Sequence, residues 1–137
     1  MIGRLVYFAG WVEHTLGELT VLHHPEREMA TDTGWGLSGA RLVSALRRID
    51  DPNGALAEAI NEYEELLKWR NKIIHTGWVV RDPHSVMGFH APMDRGVPTM
   101  TSYALSYGVL ESMITRWRHL ERVVDELVSA VMGLNSK

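Results

Sequence analysis

The sequence predicts an all-α fold: an antiparallel helical bundle of about four helices, with a short flap or hairpin before the last one. Three observations predict it. Apolar residues recur at helical spacing in three long segments. Turn and cap residues, above all Pro25 and the Asp51-Pro52 pair, stand where those segments begin or end. The chain has 137 residues and is 45% hydrophobic, which suits one domain with a core of its own.

The first segment, about residues 3 to 23, places Leu5, Phe8, Val12, Leu16, Leu19 and Leu22 on one helical face. Pro25 ends it, because proline disfavours helix in the residue before it. Residues 25 to 37 lack periodicity and read as a loop. Ser38 is a suitable N-cap for a short second helix through Ile49, with Leu42, Val43, Leu46 and Ile49 inward. Asp51-Pro52 supplies a cap and a first-turn proline for a third helix, from about Pro52 to Thr76. Its stripe is Leu56, Ile60 or Ala59, Tyr63, Leu67 and Ile74, and Gly77 stands where a left-handed C-terminal cap belongs.

Residues 78 to 100 differ in character. Trp78-Val79-Val80 and Val86-Met87-Gly88-Phe89 flank Asp82-Pro83-His84-Ser85, as in a small hairpin or an irregular flap. Ala91-Pro92 and Val97-Pro98 mark loop. The last helix, from near Ser102 to near Gly133, carries Leu110, Met113, Trp117, Leu120, Val124, Leu127 and Val131. It is expected to span about 31 residues, roughly 45 Å at 1.5 Å per residue. That length leaves apolar surface for a second subunit.

Composition narrows the function classes. The absence of cysteine excludes a disulfide scaffold, thiolate zinc, an iron–sulfur cluster and a cysteine nucleophile. The net charge of −3 gives no global sign of nucleic-acid binding. Its distribution says more: 11 of the 14 basic residues are Arg, the side chain suited to bidentate phosphate contact. Glu58, Glu62, Glu64 and Glu65 crowd the middle of the third helix, while Lys68, Arg70 and Lys72 cluster at its end beside His75. No leader or membrane-spanning run is evident, so a soluble cytoplasmic protein is expected.

The stretch Leu67-Lys68-Trp69-Arg70-Asn71-Lys72-Ile73-Ile74-His75-Thr76-Gly77-Trp78 carries the chemistry. Asn71 and His75 are four apart and share a helix face. Arg70 and His75 are five apart, about 140° around an ideal helix, so Arg70 flanks the pair. A twofold pairing of two such helices would gather two copies of each residue in one cleft. His shuttles protons near neutrality, Arg stabilises phosphate charge, and Asn orients phosphate or imidazole.

Arg70, four intervening residues and His75, with polar Asn71 after the Arg, resemble the signature of HEPN-superfamily domains (higher eukaryotes and prokaryotes nucleotide-binding). The motif is short, and its setting late in a long helix of a small helical chain adds to the resemblance. The resemblance implies a homodimeric, metal-independent endoribonuclease, a hydrolase of RNA acting as a toxin or antiviral defence effector, with an antitoxin as a further partner. Arg70, Asn71 and His75 would be catalytic, and Lys68 and Lys72 would bind RNA. Trp78 would bind RNA by stacking on a base or, as the burial tendency of tryptophan favours, anchor the flap to the bundle. Neither metal nor cofactor is expected. A subset of HEPN toxins has Tyr two residues after the His, where this chain has Gly77. Control by a nucleotidylating antitoxin is therefore not implied. The alternative is a non-catalytic module of the same kind that binds nucleotides or a protein.

Other groups carry less. His23-His24 point apart on a helix. Glu13-His14 and Glu18 lack the spacing of a bundle metal site. His84 and His90 are auxiliary candidates in the flap. Arg116, Arg118 and Arg122 lie among Glu121, Asp125 and Glu126, as on a solvated face.

Overall fold

The computed structural model describes residues 1–23, 37–90 and 93–133. The expectations for His24, Pro25 and the loop to Gly36 lie outside the described residues. Among the described residues four helices are present: α1 (Ile2–Leu22), α2 (Gly39–Leu46), α3 (Ala55–Ile74) and α4 (Tyr107–Val131). Between α3 and α4 run β1 (Gly77–Asp82), β2 (Ser85–His90), β3 (Met93–Asp94), β4 (Val97–Pro98) and β5 (Thr101–Ser106).

The all-α expectation is therefore overturned. Strands β1, β2 and β5 form a three-stranded antiparallel sheet in the order β1-β2-β5, so the fold mixes helix and sheet. The expected hairpin is β1–β2, and its turn is tied by Asp82, which accepts from the His84 amide and the Ser85 hydroxyl, both at 2.8 Å. The third strand was hidden at the start of the last helix. In Thr101–Ser106, Leu105 is buried while Ala104 and Ser106 are exposed, a period of two. Six residues of alternation merge with the helical rhythm that follows them. Ser106 then accepts from the Val109 amide at 3.1 Å and starts α4 five residues later than expected. With 25 residues, α4 is about 37 Å long rather than 45 Å. A second, two-residue ladder joins β3 to β4 across Arg95 and Gly96, whose φ values of 50° and 77° suit a tight hairpin turn.

The helices bury one apolar cluster. Leu5, Val12, Leu16 and Leu19 of α1 meet Leu110, Trp117, Leu120 and Val124 of α4, with Leu42 and Leu46 of α2 and Ile60, Tyr63 and Leu66 of α3. Cross-pairs fix the directions. Arg4 lies 3.6 Å from Glu111 and Phe8 lies under Arg118, so α1 and α4 run parallel. Glu62 pairs with Arg116, and Tyr63 meets the edge of Trp117 at 6.2 Å. Leu56 and Leu127 line a common hollow, so α3 runs antiparallel to α4.

Two end signals shift. Asp51 does cap α3, but from outside the helix: its carboxylate accepts from the Leu56 and Ala57 amides at 3.1 and 2.8 Å, and Gly54, at φ 76°, precedes the first turn. Gly77 is not a left-handed cap; it opens β1, and His75 ends α3 with φ −97°. The buried stripe of α3 finishes on Leu66 and Ile73, while Leu67 is half-buried and Ile74 is exposed.

Candidate functional site

The end of α3 separates the three expected catalytic residues. Asn71 and His75 are both exposed and one turn apart, joined by the His75 amide donating to the Asn71 carbonyl at 3.2 Å. Arg70 faces inward. Its guanidinium donates to the Glu13 carboxylate of α1, and the two side chains are only 19% and 18% exposed. Tyr63 donates its hydroxyl to the same Glu13 oxygen at 2.7 Å and accepts from the Gly39 amide at 3.3 Å. Burial and the Glu13 carboxylate push the Tyr63 hydroxyl well above the usual tyrosine range. The Arg70 Nε–H is buried and meets no acceptor among the described residues. The five-residue spacing thus places Arg70 and His75 on different sides of α3.

The expected RNA-binding residues also differ in setting. Lys68 is 78% exposed, and its Nζ lies 3.8 Å from Glu65. Lys72 is half-buried, with Nζ 4.2 Å from the Tyr103 ring centroid and 5.3 Å from that of Trp69. Trp78 is half-buried: its indole N–H donates to the Ile73 carbonyl at 3.0 Å, and its ring meets Tyr103 edge-on at 5.4 Å. It ties the sheet to the end of α3.

Gly88 makes this junction possible. It sits in register between Trp78 of β1 and Tyr103 of β5. A Cβ there would come within 2.7 Å of Thr76 Cγ2 and 2.8 Å of the Trp78 ring. Without it, Tyr103 reaches across to the link between α3 and β1, where its hydroxyl meets Thr76 Oγ1 at 2.9 Å. The residues that sequence reasoning missed are Glu13 as the Arg70 partner and Trp69 and Tyr103 around Lys72. The i,i+3 spacing of Trp69 and Lys72 was a readable signal; the contacts of Glu13 and Tyr103 cross the fold.

The auxiliary groups sort by position. His90, at the near end of β2, directs Nδ1 towards the His75 carbonyl at 3.4 Å. His84 lies at the far turn of the sheet, where its carbonyl accepts from the Tyr107 amide at 2.9 Å. Arg116 forks onto Glu62 at 2.7 and 3.0 Å, and Arg118 lies 5.7 Å from the Phe8 ring centroid. His14 stacks on Trp11 at 5.5 Å, and the His23 ring bonds the Leu19 carbonyl at 2.9 Å. Among the described residues no group of three or more His, Cys, Asp or Glu side chains is placed to hold a metal ion. No described helix is long and apolar enough to cross a membrane. A hollow of about 440 Å³ lies along α2, lined by Leu37, Arg41 and Arg48, and contains none of the candidate residues.

No family model matches the chain, and neither a curated protein nor a solved structure matches it.

Proposed function

We propose that this protein is a metal-independent endoribonuclease of HEPN type, acting in the cytoplasm as a homodimer in the role of a toxin or defence effector. The observation that supports this reading is the exposed pair of Asn71 and His75 on one side of α3, with Lys72 beside them. In the reaction, His75 takes the proton of an RNA 2′-hydroxyl. The 2′ oxygen bonds to the adjacent phosphorus, and the bond from phosphorus to the 5′ oxygen breaks. A proton returns to that 5′ oxygen, leaving a cyclic phosphate and a 5′-hydroxyl. Asn71 hydrogen-bonds a phosphate oxygen. The inward placement of Arg70 assigns it a role at second hand: through Glu13 it fixes the end of α3, and its charge contributes to the local potential. A second copy of α3 supplies the second His75 and completes the acid–base pair.

The Arg70–Glu13 pair favours a second reading, a non-catalytic module that binds nucleotides or a protein, because Glu13 already engages the cation that a nuclease needs at the scissile phosphate. RNA incubated with wild type and His75→Ala in excess chelator separates the two. Cleavage by wild type alone supports the nuclease. Equal cleavage by both, or none by either, rejects it.

A further inference from the structure

We propose that Trp69, Lys72 and Tyr103 form a stacking platform for an unpaired base of single-stranded RNA, beside His75. The platform deepens the RNA reading of this helix end and rests on it. Lys72 Nζ sits 4.2 Å from the Tyr103 ring centroid and 5.3 Å from that of Trp69. Trp69 nevertheless stays 37% exposed as a residue. The geometry is built rather than incidental. Tyr103 is held by the Thr76 hydroxyl at 2.9 Å and by the edge of Trp78 at 5.4 Å, over the space that Gly88 leaves. A cation fixed between two rings loses little further freedom on binding and keeps N–H donors for a phosphate.

The chemistry selects the ligand. Duplex pairing and stacking cover both faces of a base, so an exposed indole can stack only on an unpaired one. An ammonium at the centre of the patch attracts a polyanion, and lysine is depleted where proteins pack against each other. Trp69 and His75 are six residues apart, about 9 Å along the helix axis and about 120° around it, with Lys72 midway between them, so a strand crossing Lys72 passes from one to the other.

The test uses a fluorescently labelled single-stranded oligoribonucleotide with 2′-O-methyl sugars, which 2′-hydroxyl attack cannot cleave. Its binding to wild type, Trp69→Ala and Trp69→Phe is read by anisotropy, with sedimentation of each protein to record its oligomeric state. Trp69→Ala is expected to weaken binding by about 5- to 100-fold, and Trp69→Phe to recover most of that loss. The duplex of the same sequence is expected to bind worse than the single strand. Equal binding by wild type and Trp69→Ala, no binding by wild type, preference for the duplex, or a loss that follows dissociation of a dimer overturns the platform. Trp69-dependent binding of the probe without cleavage of ordinary RNA overturns the nuclease reading and leaves the platform standing. Cleavage with Trp69-independent binding overturns the platform alone.

Discussion

The Glu13 carboxylate of α1 holds the Arg70 guanidinium of α3 on the inner side of the helix. Breaking a fully buried pair costs about 3–5 kcal/mol, since one charge is left alone. At roughly one-fifth exposure, Glu13→Gln is expected to cost about 2–3 kcal/mol, read by urea unfolding. Adding Arg70→Met to Glu13→Gln is expected to cost less than the sum of the two changes.

Tyr63 shares the Glu13 oxygen, and its pH dependence follows. Its folded pKa lies above the unfolded value of about 10. Its contribution is therefore fully present below about pH 10 and is lost as pH rises, because the unfolded chain releases the proton first. Wild type is expected to lose stability more steeply above about pH 10 than Tyr63→Phe does. At neutral pH, Tyr63→Phe is expected to cost about 1–3 kcal/mol, for the lost hydrogen bond to a carboxylate.

Gly88→Ala tests the junction between sheet and helix. The added methyl would clash with both Thr76 and the Trp78 ring, so the junction must shift. A loss of about 1–3 kcal/mol is expected, with a changed near-ultraviolet circular dichroism signal from the Trp78–Tyr103 pair.

Asp51→Ala removes the carboxylate that accepts from the Leu56 and Ala57 amides. It is expected to lower the unfolding free energy by about 0.5–2 kcal/mol. Asp51→Asn, which keeps one acceptor oxygen, is expected to recover part of it.

The helices were legible because long stripes such as Leu110, Met113, Trp117, Leu120 and Val124 have one period and one buried face. Strand β5 was not, because Tyr103 and Leu105 lead without a break into that same stripe and only pairing with β2 makes them extended. At the site, the angle between Arg70 and His75 was readable from helix geometry, but not the partner of Arg70. Glu13 lies 57 residues away, and nothing local to Arg70 reports which helix packs against it. Trp78 follows the motif directly, and no local signal marks Trp69 as the more open of the two rings. The pleat and the Ile73 carbonyl turn Trp78 inward, while the helix leaves Trp69 outside.

The chemistry assigned to His75 meets its most direct test in the ends of RNA fragments made in excess chelator. Wild type is expected to leave 2′,3′-cyclic phosphate and 5′-hydroxyl ends, and His75→Ala to leave uncut RNA. Chelator-sensitive cleavage, fragments ending in a 3′-hydroxyl, the same yield from His75→Ala, or intact RNA with wild type would contradict it.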